Sequence, residues 1–124
     1  LPQSSKKFKY KGKNQVQRKK IINDATAVAD AGAFAIVVEC VVEDLAKAIT
    51  DTVTVPTIGI GASKYCDGQI LVVDDMLGLT EFSGKFVKKY ANLNKIIEKS
   101  VKSYSKDVKQ RKYPSYKNVY SLKK

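Results

Sequence analysis

Apolar positions along the chain alternate between helical spacing and short continuous runs. From about Arg18 to Ala31 the apolar residues recur every three or four positions, which predicts an amphipathic helix, and Gly32 marks its end. The segment that follows, residues 33–38, is apolar at every position and stops at Glu39. This uninterrupted pattern is typical of a strand that is buried on both faces of a parallel sheet.

The same pattern then repeats along the chain. Glu43 and Asp44 begin a second predicted helix, where the helix dipole favours negative charge, and a second strand is predicted at residues 55–60. A third strand is predicted at residues 69–73, after a turn at residues 66–68. Because helical stretches separate the strands, we expect βα units with three adjacent, parallel strands in sequence order.

A long amphipathic helix is predicted from about Lys85 to Lys109, followed by an irregular tail from Tyr113 onward. Lysines occupy one face of this helix, and the other face carries the apolar residues Phe86, Tyr90, Leu93, Ile97, Val101, Tyr104 and Val108. We expect the apolar face to pack on the chain's own sheet or on a sister subunit rather than on a membrane surface. The Lys-rich residues 5–20 are predicted to form a loop.

The net charge of +11 over 124 residues makes a nucleic-acid partner worth weighing. The basic residues lie at the two ends: residues 1–20 contain eight Lys or Arg and no acid, and residues 85–124 contain thirteen against two acids. Only Arg18 and Arg111 are arginine, the residue whose fork reads base edges. A solvated lysine surface is therefore favoured, and nucleic-acid binding is the weaker alternative.

The sequence carries no targeting or membrane signal. No apolar run approaches the roughly 20 residues that span a bilayer. The start at Leu1 shows neither an initiator Met nor a signal-peptide pattern. We expect a cytoplasmic protein without a membrane partner, whose true N-terminus lies upstream.

Histidine is absent from the sequence, and this absence limits the chemistry available to the chain. Ser-His-Asp and Cys-His catalysis are excluded within it, so a general base must be a carboxylate, Lys or Tyr. Cys40 and Cys66 are too few for a disulfide framework, and two thiols without histidine do not make a zinc site. We expect both to be reduced, partly buried structural thiols.

Glu39 is the strongest candidate for a catalytic residue. It closes the first predicted strand, and parallel α/β proteins bind ligands at the carboxyl ends of their strands. Partial burial among apolar neighbours would raise the pKa of Glu39 and make it a usable base near neutral pH. From the residues alone, a glutamate that caps the next helix or pairs with a lysine explains the position equally well.

Two further motifs carry weaker signals. Asp74 and Asp75 end the third predicted strand on the same edge as Glu39, which suggests a metal site or a second acid. Acidic residues at the start of a short helical turn explain them better. Gly59-Ile60-Gly61 is faintly similar to a phosphate loop, but no third glycine or Gly-Lys-Ser/Thr follows. Small residues that permit close backbone approach explain this motif better.

Four blocks of the sequence resemble the ketopantoate hydroxymethyltransferase family, also named 3-methyl-2-oxobutanoate hydroxymethyltransferase. In chain order they are DAGAFAIVVECV (30–41), PTIGIGA (56–62), CDGQILV (66–72) and DMLGL (75–79). Residues 1–4 resemble the end of the family's fifth barrel strand, and residues 86–90 resemble its late helix. The chain departs from the family pattern at Val42, Ser63 and Gly84, where Pro, Gly and Pro are usual.

The resemblance implies an α/β fold made of the last three βα units of a (βα)8 TIM-type barrel with parallel strands, plus a long C-terminal helix. Such a barrel typically has about 250 residues, so we expect residues 1–124 to be the C-terminal part of a single barrel domain whose N-terminal half is absent. The family's metal-binding acids lie in that half. The resemblance therefore assigns no metal ligand and no cofactor-binding residue to this chain.

The same resemblance implies a function. The family transfers a hydroxymethyl group from methylenetetrahydrofolate to the 2-oxo acid 3-methyl-2-oxobutanoate, giving 2-dehydropantoate in pantothenate biosynthesis, with Mg²⁺ and as large homo-oligomers. Glu39 matches the family's proton acceptor. We expect the fragment to be inactive alone. The alternatives are a non-catalytic remnant or interaction fragment of the barrel, and, less favoured, a Lys-rich nucleic-acid-binding protein.

Overall fold

The computed structural model describes residues 9–122, in which helices alternate with short parallel strands. The elements are α1 (Gln15–Asp30), β1 (Ile36–Glu39), α2 (Glu43–Thr52), β2 (Thr57–Ile60), β3 (Gly68–Gln69), α3 (Val73–Met76), α4 (Leu93–Lys109) and a 3₁₀ turn at Tyr116–Asn118. Within these residues no helix combines the length and the apolar content that crossing a bilayer requires.

The three strands form one parallel sheet in the order β1-β2-β3. Glu39 is paired with Ile60 in the register of β1 and β2, and Ile58 is paired with Gly68 in the register of β2 and β3. The prediction of three adjacent, parallel strands in sequence order is confirmed. The chain is therefore α/β, with the sheet arrangement expected of neighbouring βα units.

The segment before α1 also contributes to the sheet edge, although a loop was predicted there. Lys11 forms a parallel bridge with Val41, the second residue after β1. The Lys11 N–H donates to the Cys40 carbonyl at 2.8 Å, and the Lys11 carbonyl accepts from the Val42 N–H at 3.1 Å. The alternating lysines of this segment do not form the apolar pattern that predicts a strand. The pairing could not be predicted from side chains, because only backbone atoms form it. The block at residues 1–4 lies outside the described residues.

Helices α1 and α2 begin where local chemistry supports them. α1 begins at Gln15 rather than at about Arg18, because the Asn14 side chain caps it by accepting the Gln17 N–H at 2.9 Å. Gly32 follows its end with a positive φ of 96°, as predicted for a stop signal. The predicted acidic start of α2 is confirmed, since Glu43 and Asp44 occupy its first turn.

Three predicted elements differ from the structure. The third strand covers only β3, because its edge pairing ends near Ile70 and residues 73–76 turn into α3. The long helix begins at Leu93, not at Lys85, because the N–H groups of Leu93 and Asn94 are held by carbonyls at the end of α3 rather than by a preceding helical turn. The tail contains the 3₁₀ turn, capped by Ser115, rather than being wholly irregular.

The core lies between α1, α2 and one face of the sheet. Its buried members are Ala25, Val38, Val41, Leu45, Ala46, Ile49 and Cys66. The other face of the sheet is open, and Val37 is 59% exposed on it. α4 has no buried residue. The expectation that α4 packs on the chain's own sheet is therefore wrong, and its packing on a sister subunit stays a prediction.

Candidate active site

Glu39 is the last residue of β1 and lies at the carboxyl edge of the sheet. Strand alternation puts it on the same open face as Val37, and its register partner on β2 is Ile60. Its side chain is exposed. The predicted partial burial is thus wrong for this chain, because nothing within residues 9–122 covers that face.

Neither of the two alternative explanations for Glu39 describes its surroundings. The N-cap residue of α2 is Val42, and no side chain caps that helix. Across residues 9–122 the ion pairs join other residues, and none includes Glu39. The Glu39 carboxylate is therefore exposed on the open face and belongs to none of the ion pairs of the described residues.

The backbone immediately after Glu39 is held in an unusual conformation. Cys40 has a φ of 50°, a left-handed value that side chains with a Cβ rarely adopt. Its N–H donates to the Ile60 carbonyl at 3.0 Å, and its carbonyl accepts from the Lys11 N–H at 2.8 Å. Such strain persists where the surrounding bonds enforce it, and it concentrates at functional sites. No sequence pattern indicates this conformation, since cysteine is not a typical residue for it.

The two cysteines are both free, as predicted. Burial raises the pKa of the Cys40 thiol, and the nearby negative charge of Glu39 raises it further. Because both causes favour the protonated thiol, Cys40 is a poor nucleophile and a poor metal ligand near neutral pH. Cys66 is buried in the core. Cys40 therefore adds no nucleophile beside Glu39.

Asp74 and Asp75 form the first turn of α3, so the helix-start interpretation of these acids is confirmed. Asp75 also accepts the Thr80 hydroxyl at 2.5 Å. Among residues 9–122 there is no group of three or more His, Cys, Asp or Glu side chains that could hold a metal ion.

The two glycines at the end of β2 are needed for close packing, as predicted. A β-carbon at Gly59 would lie 3.0 to 3.2 Å from atoms of the Gln69 and Cys66 side chains. Gly61 has a φ of 60°, and a β-carbon there would lie 2.8 Å from Cγ of Phe86. Sequence reasoning placed Phe86 on a helix and so missed its contact with the end of β2.

The opposite edge of the sheet has a polar network that the sequence did not reveal. Asp67 accepts the N–H of the fully buried Thr57 at 2.8 Å and its hydroxyl at 3.1 Å. The Thr57 hydroxyl also lies 2.8 Å from the hydroxyl of Thr50 in α2. These hydrogen bonds hold the pKa of Asp67 below its ordinary value, the backbone bond from Thr57 contributing most. The network ties the start of β2 to the turn before β3 and to α2.

Comparison with known proteins identifies the relatives of this chain. The model of the ketopantoate hydroxymethyltransferase family matches residues 1–116. Two relatives named 3-methyl-2-oxobutanoate hydroxymethyltransferase, from Maricaulis maris and Pelagibacter ubique, are each 52% identical to the chain, over 117 and 120 residues. A third with the same name, from Caulobacter vibrioides, is 53% identical over 117 residues.

The matched region covers almost all of this chain but only part of each relative. It covers 94% of the chain and 42% of the Maricaulis maris protein, and 97% of the chain and 47% of the Pelagibacter ubique protein. For the Caulobacter vibrioides protein the corresponding shares are 94% and 42%. The chain therefore spans less than half the length of the curated relatives it matches.

Proposed function

Because the chain belongs to the ketopantoate hydroxymethyltransferase family, we propose that it forms the proton-accepting part of a 3-methyl-2-oxobutanoate hydroxymethyltransferase. The observation that carries this proposal is the position of Glu39. Its carboxylate is exposed at the carboxyl edge of the sheet, next to the apolar residues of the open face. A carboxylate beside an apolar surface suits a small 2-oxo acid that has a branched alkyl group.

In the proposed reaction, Glu39 accepts the proton from C3 of 3-methyl-2-oxobutanoate. The electron pair of the broken C–H bond forms an enolate with the neighbouring carbonyl. C3 of the enolate then forms a new C–C bond with the methylene carbon of methylenetetrahydrofolate, as one C–N bond of the folate breaks and that nitrogen takes the proton held by Glu39. The oxygen of a water molecule replaces the second folate nitrogen on the same carbon and becomes the hydroxyl group, while a proton of the water goes to that nitrogen. Tetrahydrofolate and 2-dehydropantoate then leave.

The open face supports the first step of this reaction. Val37, Ile58 and Ile60 offer apolar surface for the methyl groups on C3, and Ile60 is the register partner of Glu39. The two hydrogen bonds of Cys40 fix the peptide that follows the base. We assign Mg²⁺, the folate site and the large homo-oligomer to the complete protein, since residues 9–122 contain no cluster of three or more metal-ligating side chains and form less than half of the matched relatives.

The test combines the chain with the missing part of a relative. The N-terminal portion of the Maricaulis maris protein, mixed with the chain, gives what we call the complemented protein. We expect the chain alone not to exchange the C3 proton of 3-methyl-2-oxobutanoate into deuterated water, and the complemented protein to exchange it. Glu39→Gln should lower that exchange by about 10² to 10⁴-fold, the usual contribution of a positioned general base.

A matched control separates the role of Glu39 from a general effect of lost charge. Glu43→Gln removes a carboxylate four residues away, in the first turn of α2, and should keep at least about half of the exchange, because a first-turn acid adds only a small dipole contribution. Undiminished exchange in the complemented Glu39→Gln variant would show that Glu39 is not the base. Exchange by the unmixed chain would show that it does not need a partner part.

A further inference from the structure

A segment between α3 and α4 is anchored at both of its ends. Residues 80–92, which we call the strap, contain no regular helix or strand. At the beginning of the strap the Thr80 hydroxyl donates to Asp75 at 2.5 Å, and the Lys89 ammonium donates to the Thr80 carbonyl at 3.1 Å. Near its end the Tyr90 N–H donates to the Met76 carbonyl at 2.8 Å. The strap is thus a closed loop fixed on α3.

The strap places Phe86 directly on the residue that follows β2. A β-carbon at Gly61 would lie 2.8 Å from Cγ and 2.9 Å from Cβ of Phe86, closer than real side chains approach each other. Gly61 is therefore the surface on which Phe86 sits, in the left-handed conformation that glycine adopts without strain. Phe82 packs against Phe86, with ring centroids 6.0 Å apart, and none of its atoms is among the three nearest to a β-carbon built at Gly61.

A short series of contacts connects Gly61 to Glu39. Gly61 is bonded to Ile60, whose carbonyl accepts the Cys40 N–H at 3.0 Å. Cys40 is bonded to Glu39 and has the positive φ described above. The orientation of the Ile60 carbonyl depends on the backbone torsions at the Ile60–Gly61 junction. Any rotation there moves the acceptor that holds the backbone of Cys40 in its strained conformation.

We propose that Phe86 is a positioning residue for Glu39, acting through Gly61 and the hydrogen bond between Ile60 and Cys40. The ring of Phe86 restricts a glycine that otherwise has wide conformational freedom. Without the ring, the peptide between Ile60 and Gly61 rotates, the Cys40 N–H loses its acceptor, and Cys40 relaxes from its positive φ. Because Glu39 precedes Cys40, the direction of its carboxylate then changes. The consequence for catalysis rests on the proposed function, whereas the mechanical coupling does not.

The test uses Phe86→Ala in the complemented protein, with Phe82→Ala as the matched control. We expect Phe86→Ala to speed hydrogen exchange of the Cys40 amide, followed by NMR, by at least about tenfold, since local opening exposes that amide. The amide of Ile49 in α2 serves as the reference for global stability. The kcat for C3-proton exchange should fall by about 10 to 100-fold, the effect of misplacing a reacting group by an ångström.

Three further results distinguish positioning from other roles. KM should change by less than about twofold, because a positioning residue affects the reacting step and not the binding of the substrate. Phe86→Leu keeps an apolar side chain on Gly61. It should restore most of the protection of the Cys40 amide and most of the kcat for C3-proton exchange. Phe82→Ala should leave the exchange of the Cys40 amide unchanged. An effect of Phe82→Ala equal to that of Phe86→Ala would show a general loss of packing and would overturn the proposal.

The proposal and the proposed function fail in different ways. Unchanged exchange of the Cys40 amide in Phe86→Ala would overturn the coupling, whatever the activity. A raised KM with an unchanged kcat would overturn the positioning role, because it would indicate direct substrate contact. If Glu39→Gln kept full C3-proton exchange, the proposed function would be wrong, and the Cys40 amide would still decide whether Phe86 controls the backbone after Glu39.

Discussion

Helices α2 and α4 are both amphipathic, yet only one of them buries its apolar face. α2 has 10 residues and buries Leu45, Ala46 and Ile49 against α1 and the sheet. α4 has 17 residues and buries none, so that Ile97 is 49% exposed and Val101 is 60% exposed. The comparison teaches that an apolar period of 3.6 residues specifies a face but not the surface that covers it.

The two helices are also held in different ways. Arg18 of α1 donates two hydrogen bonds to the Asp44 carboxylate of α2, at 2.6 and 3.2 Å, and this fork lowers the pKa of Asp44. Beyond its first N–H groups, which carbonyls at the end of α3 hold, α4 relies on local interactions. These are the pair of Glu98 with Lys102 one turn apart and the lysines of its last turn, which suit the negative end of the helix dipole. We therefore expect substitutions in α2 and its contacts to cost more stability than substitutions in α4.

The largest expected effect is the truncation of the core side chain of α2. Leu45 is fully buried, so Leu45→Ala should lower the free energy of unfolding by about 2–5 kcal/mol, through lost burial and the cavity left behind. Ile97→Ala in α4 is the matched truncation of an exposed side chain and should change it by less than about 0.5 kcal/mol. Urea unfolding followed by circular dichroism measures both. Equal costs for the two variants would contradict the comparison.

A smaller effect is expected at the buried polar network that ties α2 to β2. Thr57→Val keeps the shape of the side chain but leaves Asp67 and Thr50 without the Thr57 hydroxyl. We expect a loss of about 1–3 kcal/mol in the free energy of unfolding, because the hydrogen bonds of the fully buried Thr57 hydroxyl are removed. Thr52→Val, at the exposed end of α2, removes only a hydroxyl bonded to the Ala48 carbonyl. Its cost in the same urea experiment should stay below about 0.5 kcal/mol.

The pH dependence of stability should also depend on this network. The pKa of Asp67 is lowered in the folded state, so its contribution is present above the ordinary carboxyl value of about 4 and is lost as the pH falls through the lowered value. Asp67→Asn should therefore lower the urea midpoint near neutral pH, and its difference from the wild type should shrink as the pH falls below about 4 through the lowered pKa of Asp67. A constant difference across that range would contradict the assignment.

The smallest expected effect lies in α4. Glu98→Gln removes the ion pair with Lys102, and both side chains are more than half exposed. The free energy that stabilises helix α4 should fall by about 0.3–0.5 kcal/mol at low salt. This loss should disappear in about 1 M NaCl, where the charges are almost fully screened. The helical signal of α4 at the two salt concentrations provides the measurement. A loss that persists at high salt would indicate a tertiary role for Glu98 that the exposed position does not suggest.

The sequence by itself determined α1, β1, α2 and β2, their order, and the place of Glu39 at a strand end. Each of these follows from a pattern within a few neighbouring residues: helical periodicity, an uninterrupted apolar run, or an acidic first turn. Residue similarity in four ordered blocks also indicated the family, and the family match confirms it. The assignment of Glu39 as the base stays a prediction.

Only the tertiary structure decided how the elements meet. Four features depend on segments that are distant in sequence or on backbone atoms. They are the bridge at Lys11, the positive φ of Cys40, the contact of Phe86 with Gly61, and the hydrogen bonds of Asp67 with Thr57. The boundary of α4 was missed for the same reason, since carbonyls at the end of α3 hold its first N–H groups. Side-chain patterns record which face is apolar, whereas backbone partners and close approaches are set by the path of the whole chain.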